Sequence, residues 1–323
     1  MTESLLTGSV RSEVAVEGVR FNVHRGGPAR SSLTPVLLLH GVPQTAIAFR
    51  HLFPVLALDR TVLAPDLKGL GGSEVVGPYD VPTLVRELAA LVLHEIDGPV
   101  DVVGHDWGGV LALALAGTRP DLVRRLVVVN APYRKINLAR AFHLPLFSLP
   151  GLPEAVFRLA GRRLVDGMLR LAWKAEQPLD PDVRDRYAAA YSEPQRIAAM
   201  LGYYRAATRD RISRRRSGQP PATGPSAPTG LGRLVLWGAA DPVMPMAIAE
   251  SVCHDLGPAA ELVSLPGIGH FPLEEAAEDS VRIISRFLDA RGAGDVDLPV
   301  ATSISLLDAD IDDQEISDAE TGG

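Results

Sequence analysis

The run Gly104-His105-Asp106-Trp107-Gly108-Gly109 sets an aspartate between an apolar stretch, PVDVVGHD at 99–106, and a stretch of small residues, WGGVLALALAG at 107–117. The first reads as a buried strand and the second as a helix, so Asp106 falls on a strand-to-helix turn. A turn this sharp holds its middle residue in a strained backbone conformation. Gly104 and Gly108, two residues before and two after, remove the side chains that would clash there. A carboxylate at this point is already anionic at neutral pH and can displace directly at a saturated carbon, forming an ester, whereas a hydroxyl must lose its proton as it attacks. The competing role for Asp106 is to cap the following helix.

Two later segments supply partners in the order nucleophile, acid, base. Asp241 ends LWGAAD, and His270 follows Pro266-Gly267-Ile268-Gly269. Oriented by Asp241, His270 is the expected general base for the water that cleaves the ester. His40-Gly41-Val42-Pro43 closes the run PVLLLHG, where the backbone N–H of Val42, with that of Trp107, is expected to stabilise an oxyanion. His40 reads as structural, together with Gly41 and Pro43, and His105 is expected to pack beneath the turn. Cys253, the single cysteine, excludes an internal disulfide or a cysteine metal site and reads as packing in the apolar-periodic AIAESVC.

These residues need a scaffold that brings several strand ends together. Residues 13–24 alternate and turn at Glu17-Gly18 as an antiparallel hairpin. Strands at 35–41, 61–66, 99–106 and 122–130 alternate with helical spacing around 45–58, at 80–96 and after 106, which implies a mostly parallel sheet covered on both faces. The alternation stops at about 131 and resumes at about 232. Between lie helical patches without a clear strand, read as a helical cap with a Pro/Gly/Ser linker. Strands at 232–241 and 261–270 and a helix at about 273–290 complete the sheet. The expected organisation is an N-terminal extension (1–11), a core (12–130 and 231–291), a cap with its linker (131–230) and an acidic tail (292–323), expected to be disordered.

Of the 323 residues 46% are hydrophobic, enough for a substantial core. The formal charge of -7 comes from the tail, where nine acids meet no Lys or Arg; elsewhere 32 basic residues face 30 acidic ones. A basic face with interleaved aromatics is missing, so no nucleic-acid partner is expected. No stretch has the length and apolarity of a membrane span and the first residues lack a signal-peptide pattern, so the expectation is a soluble, cytoplasmic protein without membrane insertion.

HGVP, DLKGLGG, GHDWGG, WGAADPVMP and GIGHFPLEE together resemble the epoxide hydrolases of the α/β-hydrolase fold, with haloalkane and haloacetate dehalogenases as close relatives, over roughly residues 12–290. The resemblance implies an eight-stranded, mostly parallel sheet with helices on both faces and the cap inserted after strand 6. It implies hydrolysis of an epoxide to a vicinal diol, with Asp106 as nucleophile and Asp241 and His270 completing the triad, and with no metal or organic cofactor. The family places hydrogen-bond donors in the cap because ring opening expels an alkoxide. One matches Tyr204 in Leu201-Gly202-Tyr203-Tyr204-Arg205, with Tyr203 facing elsewhere; the other matches His143 in Phe142-His143-Leu144-Pro145-Leu146-Phe147. A bacterial subgroup with the histidine carries its acid where this chain has Asn130.

Haloacetate dehalogenases pair that histidine with a tryptophan, where this chain has Leu144, and follow the nucleophile with arginine, where it has Trp107. Haloalkane dehalogenases share a tryptophan after the aspartate but add an Asn at the position of Val42, so that alternative stays open. A non-catalytic ligand-binding protein on the same scaffold is the second. Phe142, Leu144, Leu146, Phe147, Leu149 and Leu152 suggest a lipophilic epoxide as the small-molecule partner; a homodimer is left open.

Overall fold

The computed structural model describes residues 5–132, 143–217 and 232–290. The linker at 218–230 and the acidic tail lie outside the described residues.

The hairpin forms from β1 (Val10–Val16) and β2 (Val19–Gly26), closed by Glu17 and Gly18, both at positive φ. The strands β3 (Val36–Leu39), β4 (Val62–Pro65), β5 (Val100–His105), β6 (Val123–Val129), β7 (Gly232–Gly238) and β8 (Ala260–Leu265) join it in one eight-stranded sheet of order β1-β2-β4-β3-β5-β6-β7-β8. β1, β2 and β4 pair antiparallel; every other pairing is parallel.

Period-two alternation divides each central strand between two cores. Leu37, Leu39, Val102, Leu126, Val128, Val235 and Trp237 face one core, built with α2 (Val81–Glu95), α3 (Trp107–Thr118) and α8 (Met246–Leu256). Val36, Leu38, Val103, Val127, Val129, Leu234 and Leu236 face the other, against Phe49, Leu52 and Phe53 around the short α1 (Leu52–Leu56). The closing helix covers this second face. It is two pieces rather than one: non-helical backbone at Ala276 (φ -135°, ψ 55°) separates α9 (Pro272–Glu275) from α10 (Ala277–Asp289). Ile283, Ile284, Phe287 and Leu288 of α10 are buried, each contributing about 1.5–3 kcal/mol.

Between β6 and β7 the described chain is helical: α4 (His143–Ser148), α5 (Leu152–Ala172), α6 (Pro181–Ala190) and α7 (Pro194–Arg216). These helices sit on the loops that follow the strands. Tyr203 Oη donates to Lys68 O (2.8 Å), Tyr191 Oη to Gln44 O (3.0 Å) and Tyr187 Oη to Glu274 Oε1 (2.5 Å). Glu274 is also ion-paired to Arg50, and Arg196 reaches Ser73 O at 3.0 Å. Three buried tyrosines therefore act as pegs, apolar along the ring and polar at the tip. No helix among the described residues is long and apolar enough to cross a membrane.

Close backbone approach fixes where glycine is required. A Cβ on Gly108 would stand 2.0 Å from Leu39 O, and one on Gly104 would stand 2.4 Å from Gly108 O. Gly167, within α5, has nothing within 4 Å. Urea titrations should therefore separate the two sites. Gly108→Ala should destabilise the protein by about 3 kcal/mol or prevent folding, whereas Gly167→Ala should stabilise it by about 0.5–1 kcal/mol.

Candidate active site

Strand order reverses beside β3: its successor in sequence, β4, lies on one side and β5 on the other. Loops leaving β3 and β5 therefore run to opposite sides, and strand ends at such a switch are the place where open α/β sheets bind ligands. His40-Gly41-Val42 and Asp106 meet there. Asp106 is buried with φ 50° and ψ -119°, a conformation that costs an L-residue about 1–3 kcal/mol. It occupies the N-cap position of α3 but makes no side-chain cap hydrogen bond. Its Oδ1 instead accepts from Val42 N–H at 2.9 Å, a loop 64 residues away, so the capping role is set aside. A Cβ on Gly41 would be 2.4 Å from Asp106 Cβ, so glycine is what admits the carboxylate to this loop. His40 is neutral by its contacts, since Nε2 accepts from Leu67 N–H (2.9 Å) and Nδ1 is left to donate to Gly41 O (2.9 Å).

His270 stands between two carboxylates. Its Nδ1 donates to Asp241 Oδ2 at 2.7 Å, and its Nε2 lies 3.6 Å from Asp106 Oδ2. Asp241 is not on the strand itself but three residues past the end of β7, in a turn whose Val243 and Met244 N–H groups donate to its Oδ1 at 2.7 and 2.9 Å. His270 likewise sits beyond β8, which ends at Leu265 before a turn through Gly267. Burial opposes charge on His270, but Asp241 and Asp106 outweigh it and raise its pKa to about 10. Burial also opposes charge on both carboxylates. The imidazolium and the backbone and Asn130 donors outweigh that penalty, leaving both below the usual range.

Two further residues shape this arrangement beyond the roles their sequence positions suggested. Asn130, at φ 35° after β6, donates from Nδ2 to Asp241 Oδ2 (2.7 Å) and accepts from Gly238 N–H (2.9 Å). Where a second acid could have stood, the chain holds the first one in place. His105 does more than fill space: its Nε2–H donates to His270 O at 2.8 Å. Burial, then the nearby His270 charge, push its pKa down to about 4, so it stays neutral.

Tyr204 and Tyr203 diverge on α7. Tyr203 turns to Lys68 O and stacks on Tyr79, with ring centroids 5.4 Å apart. Tyr204 packs edge-on against Trp107 (5.4 Å) and Phe147 (5.2 Å) and hydrogen-bonds with the Trp107 side chain. Its phenol pKa is raised, first by burial and then by the charge of Asp106, so the hydroxyl keeps its proton. His143 opens α4, but its side chain, with those of Phe142 and Leu144, lies outside the described residues.

The apolar wall is narrower than the sequence suggested. Phe147 is buried beside Tyr204 and Phe157, whereas Leu146, Leu149 and Leu152 are 40%, 48% and 52% exposed. Leu146 stands on α4, Leu149 in the turn after it and Leu152 at the first position of α5. Cys253 is half-buried with Sγ toward Ala260 O (3.5 Å), a packing position.

The chain matches the family described as alpha/beta hydrolase fold over residues 34–277. It is 29% identical over 207 residues to AB hydrolase superfamily protein YfhM of Bacillus subtilis, covering 60% of this chain and 71% of that protein. It is 40% identical over 113 residues to the soluble epoxide hydrolase of Corynebacterium sp. strain C12, covering 35% of this chain and 40% of that protein. The chain thus matches less than half the length of the second relative. It superposes on the crystal structure of epoxide hydrolase VrEH1 from Vigna radiata with a TM-score of 0.72 at 24% identity, covering 87% of this chain and 98% of the other, a likeness of fold.

The charge arrangement makes a measurable prediction. Asp106→Asn removes one of the two carboxylates facing His270, so the pKa of His270, followed by NMR of its ring nitrogens, should fall from about 10 toward its ordinary 6.5. A raised pKa stabilises the fold fully below the ordinary value, and the contribution is lost as pH climbs through the raised one. Wild-type unfolding free energy should therefore decline between about pH 6.5 and 10, and more steeply than that of the variant.

Proposed function

The chain belongs to the α/β-hydrolase fold family, and on that premise we propose that it hydrolyses epoxides to vicinal diols through an ester formed on Asp106. The observation that carries the reading is Tyr204, a protonated phenol on α7 held by Trp107 within the field of the Asp106 carboxylate. The proposed nucleophile and proton donor then stand on either side of Trp107, which follows Asp106 in sequence and packs on Tyr204. An alkoxide is a poor leaving group unless a donor meets it, whereas halide departs without a proton.

In this mechanism Asp106 Oδ2, the oxygen not held by Val42, bonds to a ring carbon. The carbon–oxygen bond of the epoxide breaks and the ring oxygen takes the Tyr204 proton, with His143 as a proposed second donor. Esterification removes the Asp106 charge, and with it much of what holds the proton on His270. That proton is released to restore Tyr204, and His270 becomes neutral when a base is needed. Water then bonds to Asp106 Cγ as its proton passes to His270 Nε2, held in orientation by Asp241 and Asn130. The developing oxyanion forms on Oδ1, already within reach of the Val42 N–H; Trp107 N–H is the proposed second donor. Collapse breaks the Cγ–Oδ2 bond; Oδ2 stays on the substrate carbon, takes up the remaining proton and leaves as the second hydroxyl of the diol, while the water oxygen replaces it in Asp106. Asp106 is again a carboxylate and His270 an imidazolium.

The aromatic cluster of Trp107, Tyr204 and Phe147 beside Asp106 favours a lipophilic epoxide without an obligatory anionic group. The reading places the protein in the cytoplasm as a soluble enzyme that needs no metal or organic cofactor.

Intact-mass measurement of His270→Gln after exposure to a neutral epoxide should show an adduct of the epoxide's mass on Asp106, since the ester forms but is not cleaved. Tyr204→Phe should slow its formation about 10²-fold. Release of halide from haloalkanes, with no diol from a panel of epoxides, would overturn the reading in favour of a dehalogenase.

A further inference from the structure

The loop carrying His270 is tied down from several directions, and one carboxylate makes most of the ties. Glu275 Oε1 accepts from Phe271 N–H at 2.9 Å, and Oε2 accepts from Gly269 N–H at 3.0 Å, so the residues on either side of His270 hang from one side chain. The same Oε2 accepts from Lys174 N–H (2.6 Å) and Ala175 N–H (2.9 Å), in the segment that leaves α5. His270 N–H donates to Ala172 O, in that same segment, at 2.9 Å. The glycine at 269 is part of the device. A Cβ there would stand 2.2 Å from Ala172 O and 2.9–3.0 Å from the two Glu275 oxygens. Four backbone donors converging on one carboxylate are charge-assisted hydrogen bonds, stronger and stiffer than neutral ones.

We propose that Glu275 is a positioning residue for the base. It sets His270 Nε2 against Asp106 by tying the base loop to the segment that leaves α5. The inference rests on the reading that Asp106 carries an ester. The first half-reaction uses Asp106 and Tyr204 and does not need His270 to aim a water. The second does: the water oxygen bonds to Asp106 Cγ, one of its protons goes to His270 Nε2, and the Cγ–Oδ2 bond breaks, Oδ2 leaving on the substrate carbon and taking up the other proton. A misplacement of about 1 Å in such a step costs roughly 10²-fold in rate. Loss of Glu275 should therefore fall on ester cleavage and spare ester formation.

The test is rapid-quench intact-mass spectrometry on full-length wild type, Glu275→Gln and His270→Gln with styrene oxide, a neutral aryl epoxide. Glutamine keeps the shape but turns an amide donor toward backbone N–H groups. In Glu275→Gln, adduct formation should stay within about threefold of wild type while adduct loss slows about 10- to 10²-fold, so that the adduct accumulates during turnover. Gly269→Ala should shift the balance the same way. Should the glutamine variant fail to fold, Glu275→Asp, whose carboxylate is withdrawn by one methylene, carries the same measurement. Wild-type rates of adduct loss, or equal slowing of both steps, would overturn the inference while leaving the aspartyl ester intact. No adduct in either wild type or His270→Gln would overturn the ester reading instead, and this inference with it.

Discussion

Everything at the candidate site hangs on the backbone of one residue. Asp106 can hold φ 50° only because Gly104, Gly108 and Gly41 let three backbone segments close in where side chains would collide. That packing carries the carboxylate off the helix it would otherwise cap and delivers it to the amide of Val42. The strain is local, and the cost is met by the buried sheet on either side. β3 and β5, which frame the turn, are buried along their whole length and pair in parallel register.

From that placement follows an unusual balance of buried charge. Two carboxylates and one imidazolium share a volume nearly closed to water, which is tolerable only because each charge has hydrogen-bond partners. Asp241 is the better satisfied of the two acids, with two backbone donors, Asn130 and His270. Asp106 is less completely held, with Val42 N–H on Oδ1 and His270 Nε2 3.6 Å from Oδ2. The difference between the acids is therefore one of hydrogen-bond supply.

The sequence made the site legible wherever function depends on a residue type in a local frame. Glycines around Asp106, alternation along the strands and the order of Asp106, Asp241 and His270 required no knowledge of distant contacts. Roles set by backbone groups from elsewhere were hidden. Nothing near Glu275 announces amides from 174 and 175, and nothing near Asn130 announces the turn after β7. His105 was legible as buried but not as a donor to a carbonyl 165 residues on. The misread leucines, 146, 149 and 152, show the converse limit. Apolar residues on and between two helices say that some of them pack, not which of them meet solvent. The closing helix was read as continuous because the break at Ala276 lies in alanine-rich sequence with neither glycine nor proline to mark it.

The pairing of β6 with β7 joins residues 125–129 to 232–236, across the whole helical insertion. During synthesis the half of the sheet that carries Asp106 leaves the ribosome first, and Asp241 and His270 follow more than a hundred residues later. Until β7 and β8 dock, the edge of β6 is a bare row of backbone donors and acceptors flanked by valines, the kind of surface that invites pairing with another chain. Long-range parallel pairing is also slow to nucleate. The insertion that gives the protein its candidate proton donor thus lengthens the interval in which the nascent chain is most exposed to aggregation, and the chemistry of the site becomes complete only when that interval closes.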